Sequence, residues 1–177
     1  MDLYEAIFER RAVHQYLDKP VEKEKLERIL KAGTFAPTGM NRQSPIIVCI
    51  QDKETIEQLR LINAISLGLG SDRPTFHGAD TLVSVFGDPA VASTWKEDAT
   101  LVIGNIMLAA YAEGIGSCWI HRAKEMYETE YGMQLRQKWG IPASCIGVGN
   151  CILGYEKGAH QSAKKRKENY IIWDDKI

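Results

Sequence analysis

Several motifs that would identify a familiar chemistry are missing from this sequence. It has no Gly-x-x-x-x-Gly-Lys-Ser/Thr phosphate loop and no Gly-x-Ser-x-Gly nucleophile turn. The pair Gly68-x-Gly70 lacks the third glycine of a dinucleotide fingerprint and follows no predicted strand. The four histidines are widely scattered and the four cysteines form no Cys-x-x-Cys pair, so we expect no metal site.

Net charge and long apolar runs are also scarce. A net charge of −1 over 177 residues indicates neither a nucleic acid nor an anionic membrane as a partner. The longest apolar-leaning stretch, residues 99–112, contains Thr100, Gly104 and Asn105 and is too short and too polar to span a bilayer. The N-terminus shows no basic region followed by an apolar run, so we expect no signal peptide. We therefore predict a cytoplasmic protein with reduced, buried thiols.

The pattern of apolar residues and chain breaks predicts a mixture of helices and strands. Strands are predicted at 46–50, 81–86, 117–120 and 145–153, with a strand-like segment at 170–173. Helices are predicted from a cap at Asp2, over 21–32 to a stop at Gly33, from a cap at Asp52, from a Thr94–Glu97 capping box to Gly114, and over 124–139. The elements do not alternate strictly, which indicates an α+β fold or a three-layer α/β sandwich in one domain, residues 1–177. Residues 64–80 are the hardest to assign, and within them residues 68–74 are predicted to form a loop.

The predicted helix that begins near Thr94 is apolar nearly all round. A helix that is apolar on more than one face is buried on more than one face. In a chain of this size a partner subunit could supply the second covering surface, so the pattern favours an oligomer.

Two short stretches indicate a bound phosphorylated cofactor. Arg10 and Arg11 end the first helix, and clustered guanidinium groups suit a phosphate. The loop at 37–41, Pro-Thr-Gly-Met-Asn, offers amides and backbone donors to a flat heterocycle with polar edges. Taken alone, the two arginines also fit a solvated helix end, and the basic run at 164–167 fits a wet surface.

No side chain stands out as an acid, a base or a nucleophile. Cys118 lies three residues before His121, but a thiol in an apolar strand stays protonated unless a cation lowers its pKa. An enzyme with this pattern would take its reactive atoms from the cofactor.

Four motifs in a fixed order carry a family resemblance. They are Arg10-Arg11-Ala12-x-His14-x-Tyr16, the loop at 36–43, the segment 114–120 after the long helix, and Lys164-x-Arg166. With these motifs the chain resembles the nitroreductase family of FMN-dependent NAD(P)H oxidoreductases, in a compact form and over nearly its whole length.

The resemblance implies a three-layer α/β/α sandwich with a central mixed sheet and an extended, domain-swapped C-terminal arm at 155–177. It also implies a homodimer with two FMN sites at the subunit interface. The implied reaction is ping-pong hydride transfer from NADH or NADPH, through flavin N5, to a nitroaromatic, quinone or similar small-molecule acceptor.

The resemblance also assigns cofactor-binding residues. The cations expected at the FMN phosphate and ribityl chain are Arg10, Arg11, Lys164 and Arg166. The loop residues expected to reach the flavin from the other subunit are Pro37, Thr38, Gly39 and Asn41. The backbone expected at the N5 edge and the face of the ring belongs to Trp119, Ile120 and His121.

Two positions of the cofactor site depart from the family pattern. Ala12 stands where the family often has Ser, so one phosphate hydroxyl is missing. His14 stands where the family usually has Lys or Arg, near the pyrimidine edge, and supplies a charge there only when protonated. We therefore expect a reduction potential or turnover that depends on pH between about 5 and 8, with a neutral hydrogen bond from His14 as the alternative.

Three alternatives stay open at this point. An FMN-binding or flavin-storage protein would react poorly with nicotinamides. A relative could use the reduced flavin for another reaction, such as dehalogenation. A cofactor-free interaction module would instead meet acidic partners with its basic arm.

Overall fold

The computed structural model describes residues 2–174, which form six α-helices and four β-strands. The helices are α1 (Leu3–Glu9), α2 (Lys23–Thr34), α3 (Lys53–Ser66), α4 (Trp95–Ala112), α5 (Ala123–Glu128) and α6 (Glu130–Lys138). The strands are β1 (Ile46–Ile50), β2 (Thr81–Gly87), β3 (Gly116–Ile120) and β4 (Ile146–Gly154). A short 3-10 turn, Gly39–Asn41, lies between α2 and β1. Residue 1 and the end of the predicted arm, 175–177, lie outside the described residues.

The four strands pair in the order β1-β2-β4-β3. The register places Val83 of β2 between Cys49 of β1 and Cys151 of β4, and Cys151 beside Trp119 of β3. All residues of β2 are buried, whereas β1 is partly buried over most of its length. The continuous apolar run of β1 is typical of a strand buried on both faces, but the structure does not show that burial.

The sheet differs from the expected mixed sheet, because all three strand pairs are antiparallel. Within residues 2–174, parallel pairing is limited to an isolated bridge between Ala12 and Ser117. The physical reason is that α3 and the loop after it return the chain to the place where β1 ends. There Leu82 of β2 pairs with Ile50 of β1, so β2 runs back along its neighbour.

Helices cover both faces of the sheet. On one face, α3, α5 and α6 enclose a cluster that includes Leu59 and Met126, both fully buried. On the other face, α2 and α4 enclose a second cluster that includes Ile29 and Ile106. The predicted α+β fold and its three layers are confirmed by this arrangement.

Helix capping was predicted correctly at two helices and wrongly at a third. The side chains of Asp2 and Asp52 accept backbone N–H groups at the starts of α1 and α3. Thr94 precedes α4 but makes no capping hydrogen bond with its side chain. Its hydroxyl instead donates to the carboxylate of Asp98 at 3.2 Å. The same carboxylate accepts the backbone N–H of Gly39 in a neighbouring loop.

Three other predicted boundaries differ from the structure. Gly33 does not stop α2 but lies inside it, where a Cβ atom would come 2.7 Å from Cγ1 of Ile106 in α4. The predicted helix over 124–139 is divided at Thr129, whose extended backbone ends α5 and whose side chain caps α6. The strand-like run at 170–173 forms no strand in the described part of the chain, and its side chains are exposed.

Some apolar helix positions face solvent in the single chain. Leu3 and Phe8 on α1 are 66% and 61% exposed, although apolar residues recur at helical spacing along this helix. Leu101 on α4 is 48% exposed. Between residues 2 and 174, no helix is both long enough and apolar enough to cross a membrane.

Candidate functional site

The segment that follows α1 lies against the start of β3. The Val13 N–H donates to the carbonyl of Ser117 at 3.0 Å, next to the bridge between Ala12 and Ser117. Further along, the Leu17 N–H donates to the carbonyl of Tyr155 at 2.9 Å. These backbone hydrogen bonds position the segment near the beginning of β3, including Arg10, Arg11, Ala12 and His14.

Both arginines line a pocket of about 280 Å³, hereafter the arginine pocket, close to the C-terminal end of α4. Its floor is apolar and includes Val13 and Ile115. Its polar lining comes from Arg10, Arg11, Ser117, Glu156 and His160. The pocket therefore combines an apolar floor with a mostly cationic rim.

Arg11 enters the arginine pocket with part of its guanidinium group unpaired. Its Nη1 donates to the carbonyls of Phe8 and Arg10, both at 2.7 Å. Its Nε and Nη2 are buried without a hydrogen bond in residues 2–174, and the Glu9 carboxylate stays 3.8 Å from Nη2. The Ser117 hydroxyl is buried and unpaired in the same way. Buried polar groups are costly without partners, so these atoms mark a place for a ligand with acceptor oxygens.

His160 adds positive charge to the arginine pocket. Its Nδ1 is 2.9 Å from the Glu156 carboxylate, and its Nε2 is 2.7 Å from the carbonyl of Glu9. Both neighbours are acceptors, so the protonated imidazole can donate to both of them, whereas the neutral ring can donate to only one. The bond to Glu156, and then the bond to the Glu9 carbonyl, raise the pKa of His160 above its ordinary value.

His14 lies between β3 and the loop that precedes β2. Its Nε2 is 3.6 Å from the Cys118 sulfur, and its ring centre is 4.8 Å from that of His77 in an edge-to-face contact. His77 has a left-handed backbone, with φ of 53°. Burial, and then the neighbouring charge of His14, lower the pKa of His77, so the pair resists double protonation.

The loop that presents His77 is fixed from α3. Arg60 donates through Nη1 to the carbonyls of Ser71 (2.9 Å) and Arg73 (2.6 Å). Phe76, next to His77, is 1% exposed and anchors the loop in the core. These contacts fix the position of the segment 64–80, whose structure was the hardest to assign from the sequence.

The end of β3 provides the backbone that was predicted to meet the flavin ring. Trp119 is partly buried, Ile120 is buried and His121 is exposed. The His121 carbonyl accepts from Nδ2 of Asn63 at 2.8 Å, and its Nδ1 accepts from the Arg122 N–H at 2.8 Å. The predicted residues therefore lie at a turn that is held from α3.

The loop at 37–41 is anchored by one buried carboxylate. Asp98 in α4 is 3% exposed and accepts from the Gly39 N–H at 3.0 Å. It also accepts from the hydroxyls of Thr94 (3.2 Å) and Ser44 (3.5 Å). This carboxylate fixes the loop against the start of α4.

The same loop carries backbone strain. Met40, Asn41 and Gln43 have φ of 52°, 54° and 50°, a left-handed region that non-glycine residues seldom adopt. The Gln43 N–H donates to the Thr38 hydroxyl at 3.1 Å, which helps to hold this conformation. Strain of this kind persists only where the surroundings fix it, and it is concentrated at functional sites.

The loop and the arginine pocket lie near opposite ends of α4. Asp98 holds the loop in the first turn of the helix, and Tyr111 lines the pocket in the last turn. At 1.5 Å per residue, the two positions are about 20 Å apart along the helix. One subunit therefore does not bring these two groups of predicted site residues together.

The surroundings of the cysteines do not favour a nucleophilic thiolate. All four are free, and Cys118, Cys145 and Cys151 are buried while Cys49 is partly buried. Burial raises the pKa of Cys49 and of Cys145 to about 11 and raises that of Cys118 above its usual value. A thiol that stays protonated is a poor nucleophile, in agreement with the sequence prediction.

The family of the chain follows from a match that includes most of these site residues. Residues 7–155 match the model of the nitroreductase family. The chain belongs to the nitroreductase family. The match confirms the resemblance that the four motifs predicted, and three of those motifs lie inside the matched range.

Individual nitroreductase relatives agree in sequence and in fold. An Archaeoglobus fulgidus protein assigned as an NADH dehydrogenase/NAD(P)H nitroreductase is 30% identical over 156 residues, which are 85% of this chain and 83% of the relative. The crystal structure of a Bacteroides fragilis nitroreductase with bound FMN superposes with a TM-score of 0.89 at 26% identity, over 99% of this chain and 100% of that one. A Bacteroides thetaiotaomicron structure with the same assignment as the Archaeoglobus protein has a TM-score of 0.77 at 29% identity, over 97% and 96% of the two chains. The predicted nitroreductase-like fold is confirmed.

Lys164 and Arg166, predicted at the same phosphate as the arginines, are exposed and do not line the arginine pocket. They also lie beyond the matched range of the nitroreductase family. From this part of the chain, His160 reaches the pocket instead. The roles of Lys164 and Arg166 stay predictions.

The sequence reasoning missed several residues of the candidate site, among them Asn63, His77, Asp98 and His160. Each is brought to the site by a contact between distant parts of the chain. For Asp98 a signal existed, since it is a carboxylate in the first turn of an otherwise apolar helix. The other three carry no local sequence signal.

Proposed function

We propose that this member of the nitroreductase family is an FMN-dependent oxidoreductase that transfers hydride from NADH or NADPH to a nitroaromatic, quinone or similar acceptor. The observation that carries the proposal is the arginine pocket, where buried polar atoms of Arg11 and Ser117 lack partners in residues 2–174. The FMN bound in the Bacteroides fragilis relative supports the same cofactor here. When bound, FMN supplies the hydride chemistry, so the protein has to bind, orient and shield it.

The arginine pocket suits the phosphate of FMN. Arg10, Arg11 and the protonated His160 bring positive charge to one rim. Ser117 offers an unpaired hydroxyl beside its bridge partner Ala12, at the point where the family often has Ser. Each hydrogen bond between a cation and a phosphate contributes about 1.5–3 kcal/mol, so several of them would hold FMN without a covalent bond.

The ring of the flavin would be held by His14 and by the backbone of Trp119, Ile120 and His121. Sheet pairing fixes the first two of these residues, since Trp119 pairs with Cys151 and Ile120 pairs with Asn150 in β4. Donors on a backbone that is fixed in advance need no reorganisation when charge develops on the ligand they face. Orientation of the ring is therefore the task that we assign to β3.

Neither the Cys118 thiol nor Nδ1 of His121 is well placed to transfer a proton. The Cys118 thiol has a raised pKa because it is buried, and His121 Nδ1 is occupied by the Arg122 N–H. We therefore include no essential side-chain acid or base in the mechanism.

We further propose a homodimer in which the loop at 37–41 of one subunit covers the flavin site of the other. The separation of about 20 Å along α4 supports this arrangement. So do the exposed side chains beside and within the loop, Phe35 (76%) and Met40 (85%), together with the exposed face of α1. Burying an apolar side chain of this size contributes about 1.5–3 kcal/mol. The arm at 155–177, in which Ile172 and Trp173 are exposed, would be domain-swapped onto the partner.

In this proposal, residues 1–177 form a single FMN-binding domain with an extended arm, and the protein is cytoplasmic. The free state of all four cysteines supports a reducing compartment. A compact chain leaves the acceptor site open, so we expect several unrelated acceptors to be reduced. Steady-state kinetics with one strongly preferred small substrate would contradict that expectation.

The first experiment records the visible spectrum and the oligomeric mass of the same purified sample. A yellow dimer that is bleached within seconds by NADH or NADPH, under anaerobic rapid mixing, supports the proposed enzyme. A yellow protein that nicotinamides do not bleach would instead be a flavin-binding or storage protein. A colourless monomer that stays colourless with added FMN would overturn the proposal.

A further inference from the structure

A row of buried side chains linked by hydrogen bonds, including bonds to a methionine sulfur, lies between the sheet and α5. Its members are Asn63, Ser84, Met126, Tyr127 and Asn150, each no more than 1% exposed. Ser84 Oγ donates to Asn150 Oδ1 at 2.7 Å and lies 2.6 Å from the Tyr127 hydroxyl. Asn150 Nδ2 donates to the Met126 sulfur at 3.2 Å. At this end of the row the polar atoms have hydrogen-bond partners, and the side chains belong to the core.

Asn63, at the other end, is paired on one side only. Its Nδ2 donates to the His121 carbonyl at 2.8 Å and to the Met126 sulfur at 3.2 Å. A carbonyl oxygen can only accept, so the nitrogen of the amide must face His121. Asn63 Oδ1 is then buried without a partner in residues 2–174. Because a buried amide with one unpaired atom is unfavourable in the core, the bond to His121 is the contact that explains this residue.

The carbonyl that Asn63 holds lies just beyond the end of the sheet. The last pair between β3 and β4 joins Ile120 to Asn150, so sheet pairing does not fix His121. The next residue, Arg122, has a left-handed backbone with φ of 74°, which is strained for an arginine. A contact from outside the turn is needed to keep this geometry, and Asn63 provides it from α3.

We propose that Asn63 is a positioning residue that fixes the backbone at His121, just beyond the end of β3, through the His121 carbonyl. Its consequence for the cofactor rests on the proposed function, in which this backbone orients the flavin ring. The contact itself exists without the cofactor, so it can be tested on the apoprotein.

Hydrogen–deuterium exchange of the apoprotein provides that test. Asn63→Leu keeps the side-chain volume and removes the donor. Ser84→Ala is the matched control, since it removes a hydrogen bond from the other end of the same row of buried side chains. Asn63→Leu should accelerate exchange in residues 119–124 about tenfold, and Ser84→Ala should not, although both lower the free energy of unfolding. With FMN, Asn63→Leu should weaken binding about tenfold and shift the visible spectrum of the bound flavin, whereas Ser84→Ala should change neither.

Asn63→Asp keeps the proposal falsifiable if the leucine variant does not fold. A protonated carboxyl can donate to the His121 carbonyl and an ionised one cannot. Relative to the wild type at each pH, this variant should regain exchange protection and FMN affinity as the pH is lowered. Equal exchange in 119–124 for the Asn63 and Ser84 variants, or no recovery at low pH, would overturn the positioning role. Accelerated exchange in a protein that binds no FMN would support the positioning role and reject the proposed function instead.

Discussion

The arginine pocket and the loop at 37–41 are incomplete in opposite ways. Among residues 2–174, the pocket has three buried polar atoms without a hydrogen-bond partner, Arg11 Nε, Arg11 Nη2 and Ser117 Oγ. The loop has its polar contacts made, largely through Asp98, but leaves Met40 and the neighbouring Phe35 in solvent. The pocket therefore lacks hydrogen-bond acceptors for its buried donors, and the loop lacks an apolar surface that would cover its exposed side chains.

This difference indicates what each region binds. Buried donors are stabilised by a polar, negatively charged ligand, and exposed apolar side chains are stabilised by another apolar surface. A phosphate meets the first requirement and a second subunit meets the second. The two regions thus serve different binding events, although the family resemblance assigns both to one flavin.

The largest effect should follow from removing the Arg11 guanidinium group, whose Nε and Nη2 are buried without a hydrogen bond in residues 2–174. Arg11→Ala should weaken FMN binding about 10- to 150-fold, because one charge-assisted hydrogen bond contributes about 1.5–3 kcal/mol. Titration of the apoprotein, followed by flavin fluorescence, measures the affinity. Arg28→Ala is the matched control, since Arg28 is exposed and already paired with Glu113 at 2.8 Å. Equal losses in both variants would remove the distinction between paired and unpaired arginines.

In the loop, the sharpest test is a single added methyl group. A Cβ atom at Gly39 would collide with the Thr94 hydroxyl, which itself donates to Asp98. Gly39→Ala should therefore lower the free energy of unfolding by about 1–3 kcal/mol, measured by urea denaturation. Gly104→Ala in α4 is the control, because within residues 2–174 its Cβ would meet nothing within 4 Å. It should stabilise the protein by about 0.5–1 kcal/mol, and destabilisation by both would contradict the packing argument.

Changes of pH should act on the segment that follows α1, which supplies His14 as well as both arginines of the pocket, because the loop at 37–41 contains no histidine. We expect the reduction potential of the bound FMN to depend on pH between about 5 and 8, the range in which imidazoles change charge. His14→Lys should flatten that dependence, because lysine keeps its charge throughout. Spectroelectrochemistry over this range measures it. An unchanged pH profile would show that His14 contributes only a neutral hydrogen bond.

The smallest effect should come from His160. Its pKa is raised in the folded protein, so its stabilising contribution is complete below its unfolded pKa of about 6.5. The contribution is lost as the pH rises through the raised folded value. His160→Gln should thus lower the free energy of unfolding by about 0.2–1 kcal/mol near pH 5.5 and have no effect near pH 9. Denaturation of both proteins at the two pH values measures the difference, and a pH-independent loss would contradict the ionic contact.

Local chemistry made several features of this nitroreductase predictable. Asp2 and Asp52 cap helices because a short acidic side chain reaches backbone donors within three residues. The strands appear at their predicted positions within one residue, since apolar runs between turn residues have few other places in a fold. Arg10 and Arg11 were recognised by their chemistry, and the structure places both at one pocket.

Other features failed because their causes are not local. Gly33 resembles a helix stop, but the close approach of Ile106 from α4 is what excludes a side chain there. Thr94 resembles a capping residue, but the buried carboxylate of Asp98 takes its hydroxyl. In both cases a contact across the fold outweighed a local preference.

Most helices and strands and the cationic segment could be predicted from the sequence, because caps and apolar periodicity act over a few residues, and the order of the motifs along the chain was enough to recognise the family. The packing of the folded chain was needed to show which polar atoms lack partners within residues 2–174, that His160 joins Arg11 at one pocket, and that Asn63 contacts His121. It also decided that the loop and the pocket lie near opposite ends of α4. The reason is that burial and pairing depend on residues that meet only after the chain has folded, and no local pattern encodes those meetings.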